Sequence, residues 1–517
     1  MKKLLSRLSQ LPAWSIVVFA LFIRTAGLWD SFWLDEAAQA LESTRPLSQQ
    51  LQIAEDFQPP LLHLIVHFAA QVSQNEAWLR LWGALLPGLI TIYCTYKIAE
   101  KLFSKQVAFI SSFLLAVSSF HVFYSQELRP YSLSAAFATL SWLLLVQAFF
   151  VNKKFTAKDS MLYALTTALG LYSTYLYPFV VISQAVYVFW KERQALKGYL
   201  VSGSIAALLF VPWIPSFLEQ LSVGQALRKS LPGWEAVVSI PQLKSLPLTL
   251  GKFMFGVLNI EMTVPFILTI IIFLLGLAAT AWLVWTNRNK FFYSKQFILI
   301  LCWLSIPLLS SWLFSFAIPV VQPKRVLYLL PAFYIFVYSL LAQAQEQDSS
   351  LLQRVTSKVR QQQNSTIVKL MLVASTVWIL LGLSGWSLIS YIQNPVYQRE
   401  NWRAIHQQIL ERYPTKAAVV FAFDAAFAPW RWYDDGSYPV FATGSLTTAT
   451  QGEVDEKLKK TSDYQYVLVF DYLRDLTDPN RKIETALENL GYSEKEVFGM
   501  PGIGFVRVFA RQEDVLS

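Results

Sequence analysis

Apolar runs long enough to cross a bilayer recur along the first three quarters of the chain and then stop. They fall at 12–29, 80–100, 106–123, 131–150, 160–175, 177–190, 198–217, 263–286, 296–316, 325–343 and 367–391. A helix of about 20 apolar residues spans the hydrocarbon core, so the pattern predicts about eleven transmembrane helices. Between the first two windows, Ala37 to Leu47 and Pro60 to Val72 have helical apolar spacing but are too short to span. They are predicted as interfacial helices on the outer surface. From Pro395 the pattern becomes that of a small soluble unit. Helices are predicted at Arg399 to Tyr413, Val454 to Lys460 and Ile483 to Leu490, and strands at Ala417 to Phe423, Tyr464 to Phe470 and Phe505 to Ala510. Their alternation implies a small mixed α/β sheet, and Gly502-Ile503-Gly504 reads as the turn before its last strand.

Composition agrees with this division. Of 517 residues, 54% are hydrophobic and only 15% charged, with mean hydropathy +0.39, whereas soluble domains carry about 25% charged residues. The expected fold class is a mostly α, polytopic membrane protein (1–394) followed by a small α/β domain (395–517). The net charge of +9 is not a nucleic-acid signal, because the tail from Pro395 holds 14 Lys and Arg against 18 Asp and Glu. The excess of base lies in the membrane part. There Lys2, Lys3 and Arg7, Lys101 and Lys105, Lys153 and Lys154, Arg193 and Lys197, Arg288 and Lys290, and Arg354 and Lys358 fall on alternate loops. Positive charge marks the cytoplasmic side. The N-terminus is thus expected inside, and an odd number of spans sends the tail outside. The first apolar run contains Arg24 and reads as an uncleaved span. Cys94 and Cys302 both lie in apolar windows and read as packing residues.

The residues suited to chemistry gather on the outer side. Asp35-Glu36 follows the first span among Trp and Phe, a costly place for acids without a task; helix capping is the plain alternative. The turn Tyr124-Ser125-Gln126-Glu127-Leu128-Arg129-Pro130-Tyr131 and the pair Lys324-Arg325 supply cations. An acid to deprotonate a hydroxyl, with cations to neutralise a leaving phosphate, suits transfer from a lipid-linked phosphate. Snorkelling for Arg129 and interface anchoring for Lys324-Arg325 are the competing readings. His63 and His67 have metal-ligand spacing, but no third ligand is near in sequence, so a buried, hydrogen-bonded pair is favoured over zinc.

In order along the chain, Trp33-Leu34-Asp35-Glu36, Pro59-Pro60-Leu61 with His67, Leu79-Arg80-Leu81-Trp82-Gly83-Ala84-Leu85, Tyr124 to Tyr131 and Asn401-Trp402-Arg403 resemble the bacterial GT-C glycosyltransferases. These are related to protein O-mannosyltransferases and lipid A aminoarabinose transferases (glycosyltransferase family 39-like). The resemblance implies an inverting transferase of the inner membrane that takes a sugar from a polyprenyl-phosphate donor to an extracytoplasmic glycan, lipid or protein acceptor. It implies Asp35 as general base with Glu36 in support, and Arg129, Lys324 and Arg325 at the donor phosphate. Glu127, Tyr131, His63 and Tyr124 would shape the cavity. No cofactor is required, and a divalent metal is left open. A lipid-carrier flippase or transporter is the competing class; against it, polar groups gather at the outer face rather than the midplane.

Overall fold

The computed structural model describes residues 9–53, 56–230, 240–258, 263–318, 320–355, 380–414, 416–423, 427–444 and 449–511. Ten of the apolar windows coincide with helices: α1 (Ala13–Thr25), α4 (Glu76–Leu102), α5 (Lys105–Val117), α7 (Tyr131–Val151), α8 (Ala157–Leu171), α9 (Tyr177–Lys191), α10 (Arg193–Ala226), α12 (Val264–Arg288), α13 (Lys295–Phe314) and α14 (Pro323–Ala344). The eleventh window begins outside the described residues; 380–393 are helical. Six described helices are long and apolar enough to cross a membrane. Local chemistry sets their starts. Ser104 and Ser294 cap α5 and α13, and a Thr156–Asp159 capping box opens α8, satisfying backbone donors that have no helical partner.

The short helices are α2 (Leu34–Thr44), α3 (Leu61–Ala70), α6 (Ser119–Tyr124) and α11 (Gln242–Phe255). Helix α4 packs against α1, α5 and α7. Two of its glycines let the turn after α6 rest on it: a Cβ at Gly83 would meet the Leu128 side chain at 2.6 Å, and one at Gly88 would meet Ser125 Cβ at 2.8 Å. That close approach carries Glu127, Leu128 and Arg129 to the loop between α1 and α4.

The C-terminal residues form α15 (Trp402–Arg412), β1 (Ala417–Phe423), α16 (Phe427–Tyr433), β2 (Val440–Gly444), α17 (Gln451–Leu458), β3 (Tyr466–Phe470), α18 (Lys482–Asn489), β4 (Tyr492–Met500) and β5 (Gly504–Arg511). The sheet order is β2-β1-β3-β5-β4. Strand β1 is parallel to β2 and β3, and β5 is antiparallel to β3 and β4. Strand β1 is buried along its whole length, because helices cover both faces: α15 and α16 pack around Val419 and Phe421, and α17 and α18 around Val420 and Ala422. The turn expected at Gly502-Ile503-Gly504 is present, with φ +85° and +91° at its two glycines, which only glycine adopts freely.

Helices α2 and α3, expected at the outer interface, are buried on one side against the rest of the protein. Phe32, Ala37, Ala40, Leu62 and Val66 share one buried cluster with Leu79, Leu128 and Leu133 of the helical part, and Ala428 and Trp432 of α16 pack on it. The Phe32 and Trp432 rings are 5.4 Å apart. The Phe32 amide donates to the Tyr433 hydroxyl at 2.7 Å, and Arg403 pairs with Glu76 and donates to the Trp29 carbonyl at 3.2 Å. The loop between α1 and α4 is therefore held between the helical bundle and the C-terminal sheet domain.

Candidate active site

Adjacent residues on a helix point about 100° apart, and Asp35 and Glu36 occupy the first turn of α2. Their surroundings differ completely. Glu36 is fully buried. Arg80 clamps it with two bonds, Nε to Oε1 at 2.8 Å and Nη2 to Oε2 at 2.6 Å. The Leu128 amide donates to Oε1 at 2.7 Å, and Arg399 Nε lies 3.4 Å from Oε2. Burial opposes ionisation, but the two guanidiniums and these hydrogen bonds outweigh it and hold the carboxyl below its ordinary range. The same Arg80 donates to the carbonyls of Leu28 and Asp30 at 2.9 and 2.5 Å, and of Ser31 at 3.2 Å. Glu36 thus has no capacity left for an acceptor proton. Its geometry is that of a clamp tying together the first loop, the 127–129 turn and the segment after the last helix.

Asp35 is half-buried. Among the described residues its carboxylate has no hydrogen bond or ion pair. Its charge nevertheless acts on Glu127, Arg129, Lys324, Arg325 and Glu400. The structure therefore gathers around Asp35 the three cations singled out in the sequence. Lys324 Nζ stands over the Tyr131 ring at 5.4 Å and has no hydrogen-bond partner among the described residues. Arg325 donates to the Val320 carbonyl at 3.2 Å. Arg129 donates to Asp56 Oδ1 at 3.2 Å, and its Nε is buried without a partner among the described residues. Tyr124 packs edge-on to Tyr131, the ring centroids 5.2 Å apart.

Glu127 is 1% exposed and its Oε2 has no partner among the described residues. Burial pushes its carboxyl up to about 7; Lys324 and Arg399 oppose the rise, while Glu36 and Asp35 add to it. A carboxyl poised near neutrality beside a free carboxylate can hold or release a proton at working pH.

His63 sits elsewhere than expected. It is wholly buried, its Nε2 bonded to Asp56 Oδ2 at 2.7 Å, and so it turns into a cluster with Asp56 and Gln58 rather than towards Lys324 and Tyr131. His67 Nδ1 bonds the Ser43 carbonyl at 2.9 Å. Both histidines are buried and hydrogen-bonded, but to α2 and its following loop, not to each other.

Arg80, Arg399, Glu400 and Asp56 were not assigned roles from the sequence. Arg80 stands at the front of a long apolar run and Arg399 just beyond the last one, positions that signal a buried or interfacial cation but not its partner. Glu400 bonds the indole of Trp402 at 2.6 Å and accepts from the Tyr472 hydroxyl at 2.8 Å; burial raises its carboxyl above the ordinary range.

Residues 57–215 match the family model described as dolichyl-phosphate-mannose-protein mannosyltransferase. Comparison with curated protein sequences gives no match. Among solved structures, the chain is similar to ArnT from Cupriavidus metallidurans bound to undecaprenyl phosphate, at 11% identity and TM-score 0.58, covering 96% of this chain and 97% of that one. The apo state of the same protein matches at 12% identity and TM-score 0.57, over 95% and 97%. The Archaeoglobus fulgidus oligosaccharyltransferase tethered with an acceptor peptide matches at 13% identity and TM-score 0.51, over 96% of this chain and 74% of that one. Identities this low speak for the fold, and the matched family segment contains the Pro59-Pro60 and Tyr124–Tyr131 motifs. The chain therefore shares the fold of these membrane proteins along almost its whole length, and its residues 57–215 are similar to the mannosyltransferase family.

Proposed function

We propose that this protein transfers a sugar from a polyprenyl-phosphate carrier to a hydroxyl of an acceptor outside the cytoplasm, with inversion at the anomeric carbon. One observation carries the reading: a carboxylate without partners, Asp35, lies within the electrostatic reach of Arg129, Lys324 and Arg325. A carboxylate held among cations without pairing to any of them leaves both kinds of group open to a substrate, and a transfer reaction uses both. The names of the similar structures, which include an undecaprenyl phosphate complex, support the donor class.

In the proposed reaction Asp35 takes the acceptor hydroxyl proton as that oxygen attacks the anomeric carbon from the side opposite the phosphate. The carbon–oxygen bond to the phosphate breaks, and its electron pair leaves on the phosphate oxygen. Lys324, Arg129 and Arg325 neutralise the charge arriving there, and because they are fixed beforehand no reorganisation is needed at the moment of reaction. Glu36 is a positioning residue. Glu127, Tyr124 and Tyr131 shape the donor side. Eleven spans, a cytoplasmic N-terminus and an extracytoplasmic domain from 395 onward complete the reading and place the site at the outer boundary of the inner membrane. The test is transfer of labelled sugar from synthetic polyprenyl-phosphate-hexose and -pentose donors to membrane extracts by purified protein. Turnover by wild type that vanishes in a folded Asp35→Asn supports the reading. Donor binding without turnover in either protein would instead point to a carrier.

A further inference from the structure

Deeper in the first outer loop is a second cluster that the transfer reaction does not use. Asp35, Gln39 and Glu42 lie at i, i+4 and i+7, along one face of α2, and the lower end of that face meets the start of α3. There the ligand-capable atoms of Glu42, Asp56 and His63 all lie within 4.8 Å of one another. His63 is 0% exposed, and its Nε2 is engaged by Asp56 Oδ2 at 2.7 Å. This leaves Nδ1 facing Glu42 Oε2 at 3.9 Å. Both of those atoms are buried and, among the described residues, neither has a hydrogen-bond partner, and the same holds for Gln58 Oε1 close by.

The arrangement has an electrostatic fault as it stands. With Nε2–H given to Asp56, the neutral ring points the Nδ1 lone pair at a carboxylate oxygen. Were Nδ1 protonated instead, 3.9 Å would be too long for its hydrogen bond. Two ligand atoms each about 2.1–2.3 Å from one ion are held roughly 3.5–4 Å apart at open angles. A cation between them removes the fault. Asp56 then stands where a carboxylate habitually stands behind a metal-bound imidazole, fixing its tautomer and raising its basicity. Arg45, 3.3 Å from Glu42, and Arg129, on the far oxygen of Asp56, limit the net charge the site can draw and argue for a weak, exchangeable ion rather than a permanent one.

We infer that Glu42 and His63, oriented by Asp56, form a binding site for a divalent transition cation of the nitrogen- and oxygen-liganded class, Mn2+ or Zn2+, which staples α2 to α3. The site is separate from Asp35 and does not depend on the transfer reaction, because binding is read directly.

The experiment uses the full-length protein in nanodiscs, stripped with chelator and titrated against free Mn2+ followed by its solution EPR signal, with Zn2+ as competitor. Wild type is expected to take up one equivalent that Zn2+ displaces. Affinity should fall at least about tenfold in Glu42→Gln and His63→Gln and be unchanged in Asp35→Asn. Circular dichroism in the same nanodiscs checks that each variant is folded, and Asp56→Asn gives a milder loss if Asp56 acts through the ring. No stoichiometric uptake of Mn2+ and no competing Zn2+ would overturn the site. So would uptake lost in Asp35→Asn and retained in Glu42→Gln, which would put the ion at the proposed catalytic carboxylate. Loss of sugar transfer with metal uptake intact would count against the transferase reading alone.

Discussion

Asp35 and Glu36 are chemically alike and one residue apart, yet the fold treats them as opposites. Glu36 is sealed by Arg80, by the Leu128 amide and by Arg399. Asp35, turned about 100° around the same helix, keeps a carboxylate that has no partner among the described residues, within the electrostatic reach of Arg129, Lys324 and Arg325. The contrast separates two jobs that an acidic pair can do. One acid fixes the loop, and in doing so leaves the other nowhere to pair. Burial alone does not identify a working residue; what distinguishes Asp35 is charge without a partner.

That contrast can be broken at either acid. The largest effect is expected at Asp35, where Asn should lower transfer by roughly 10²–10⁴-fold, the usual worth of a general base, with thermal unfolding unchanged. At Glu36 the loss should appear first in stability. Glu36→Gln leaves two guanidiniums facing a neutral amide, and breaking one side of a buried pair costs about 3–5 kcal/mol, measurable as a lowered unfolding midpoint in detergent.

Smaller effects sharpen the same division. Lys324→Ala should weaken donor binding about tenfold or more, as expected for a charge-assisted contact to phosphate worth about 1.5–3 kcal/mol, without altering the unfolding midpoint. The smallest effect is one of pH. Glu127 has its carboxyl raised to about 7, so its folded form prefers the proton. Its contribution to stability is full below the ordinary carboxyl range and is lost as pH rises through about 7. Glu36 is lowered and contributes the other way, present at neutral pH and lost as pH falls below the ordinary range. Unfolding midpoints recorded from pH 4 to 8 should therefore lose their alkaline decline in Glu127→Gln, with Lys324, Arg399, Glu36 and Asp35 still in place around it.

Much of this was legible in the sequence. Apolar runs located ten helices because membrane-length hydrophobicity leaves the backbone few alternatives, and Ala417–Phe423 read as a buried strand because it is apolar throughout. Strand β4 was missed because Tyr492–Met500 is an edge strand with half its residues exposed, so Ser-Glu-Lys-Glu resembles a loop. Helix α16 was missed because Pro429 and four aromatics in Phe427–Tyr433 give no helical period, and its packing on α2 supplies what propensity lacks. In the candidate site, Asp35, Arg129, Lys324 and Arg325 were singled out from residue type and expected side of the membrane, and the fold brings their charges within reach of one another. Their sorting was not. Which acid Arg80 takes depends on a rotation about α2, and the meeting of Glu42 with His63 depends on how α2 and α3 pack. Neither is written in local sequence.

The most direct test compares Asp35→Asn with Glu36→Gln in one assay, sugar transfer from a polyprenyl-phosphate donor at a temperature where both variants are folded. The account predicts that Asp35→Asn is inactive while binding donor normally, and that Glu36→Gln retains a substantial fraction of turnover with a lowered unfolding midpoint. If Glu36→Gln is as inactive as Asp35→Asn while fully stable, or Asp35→Asn turns over at the wild-type rate, the division of labour between the two acids is wrong.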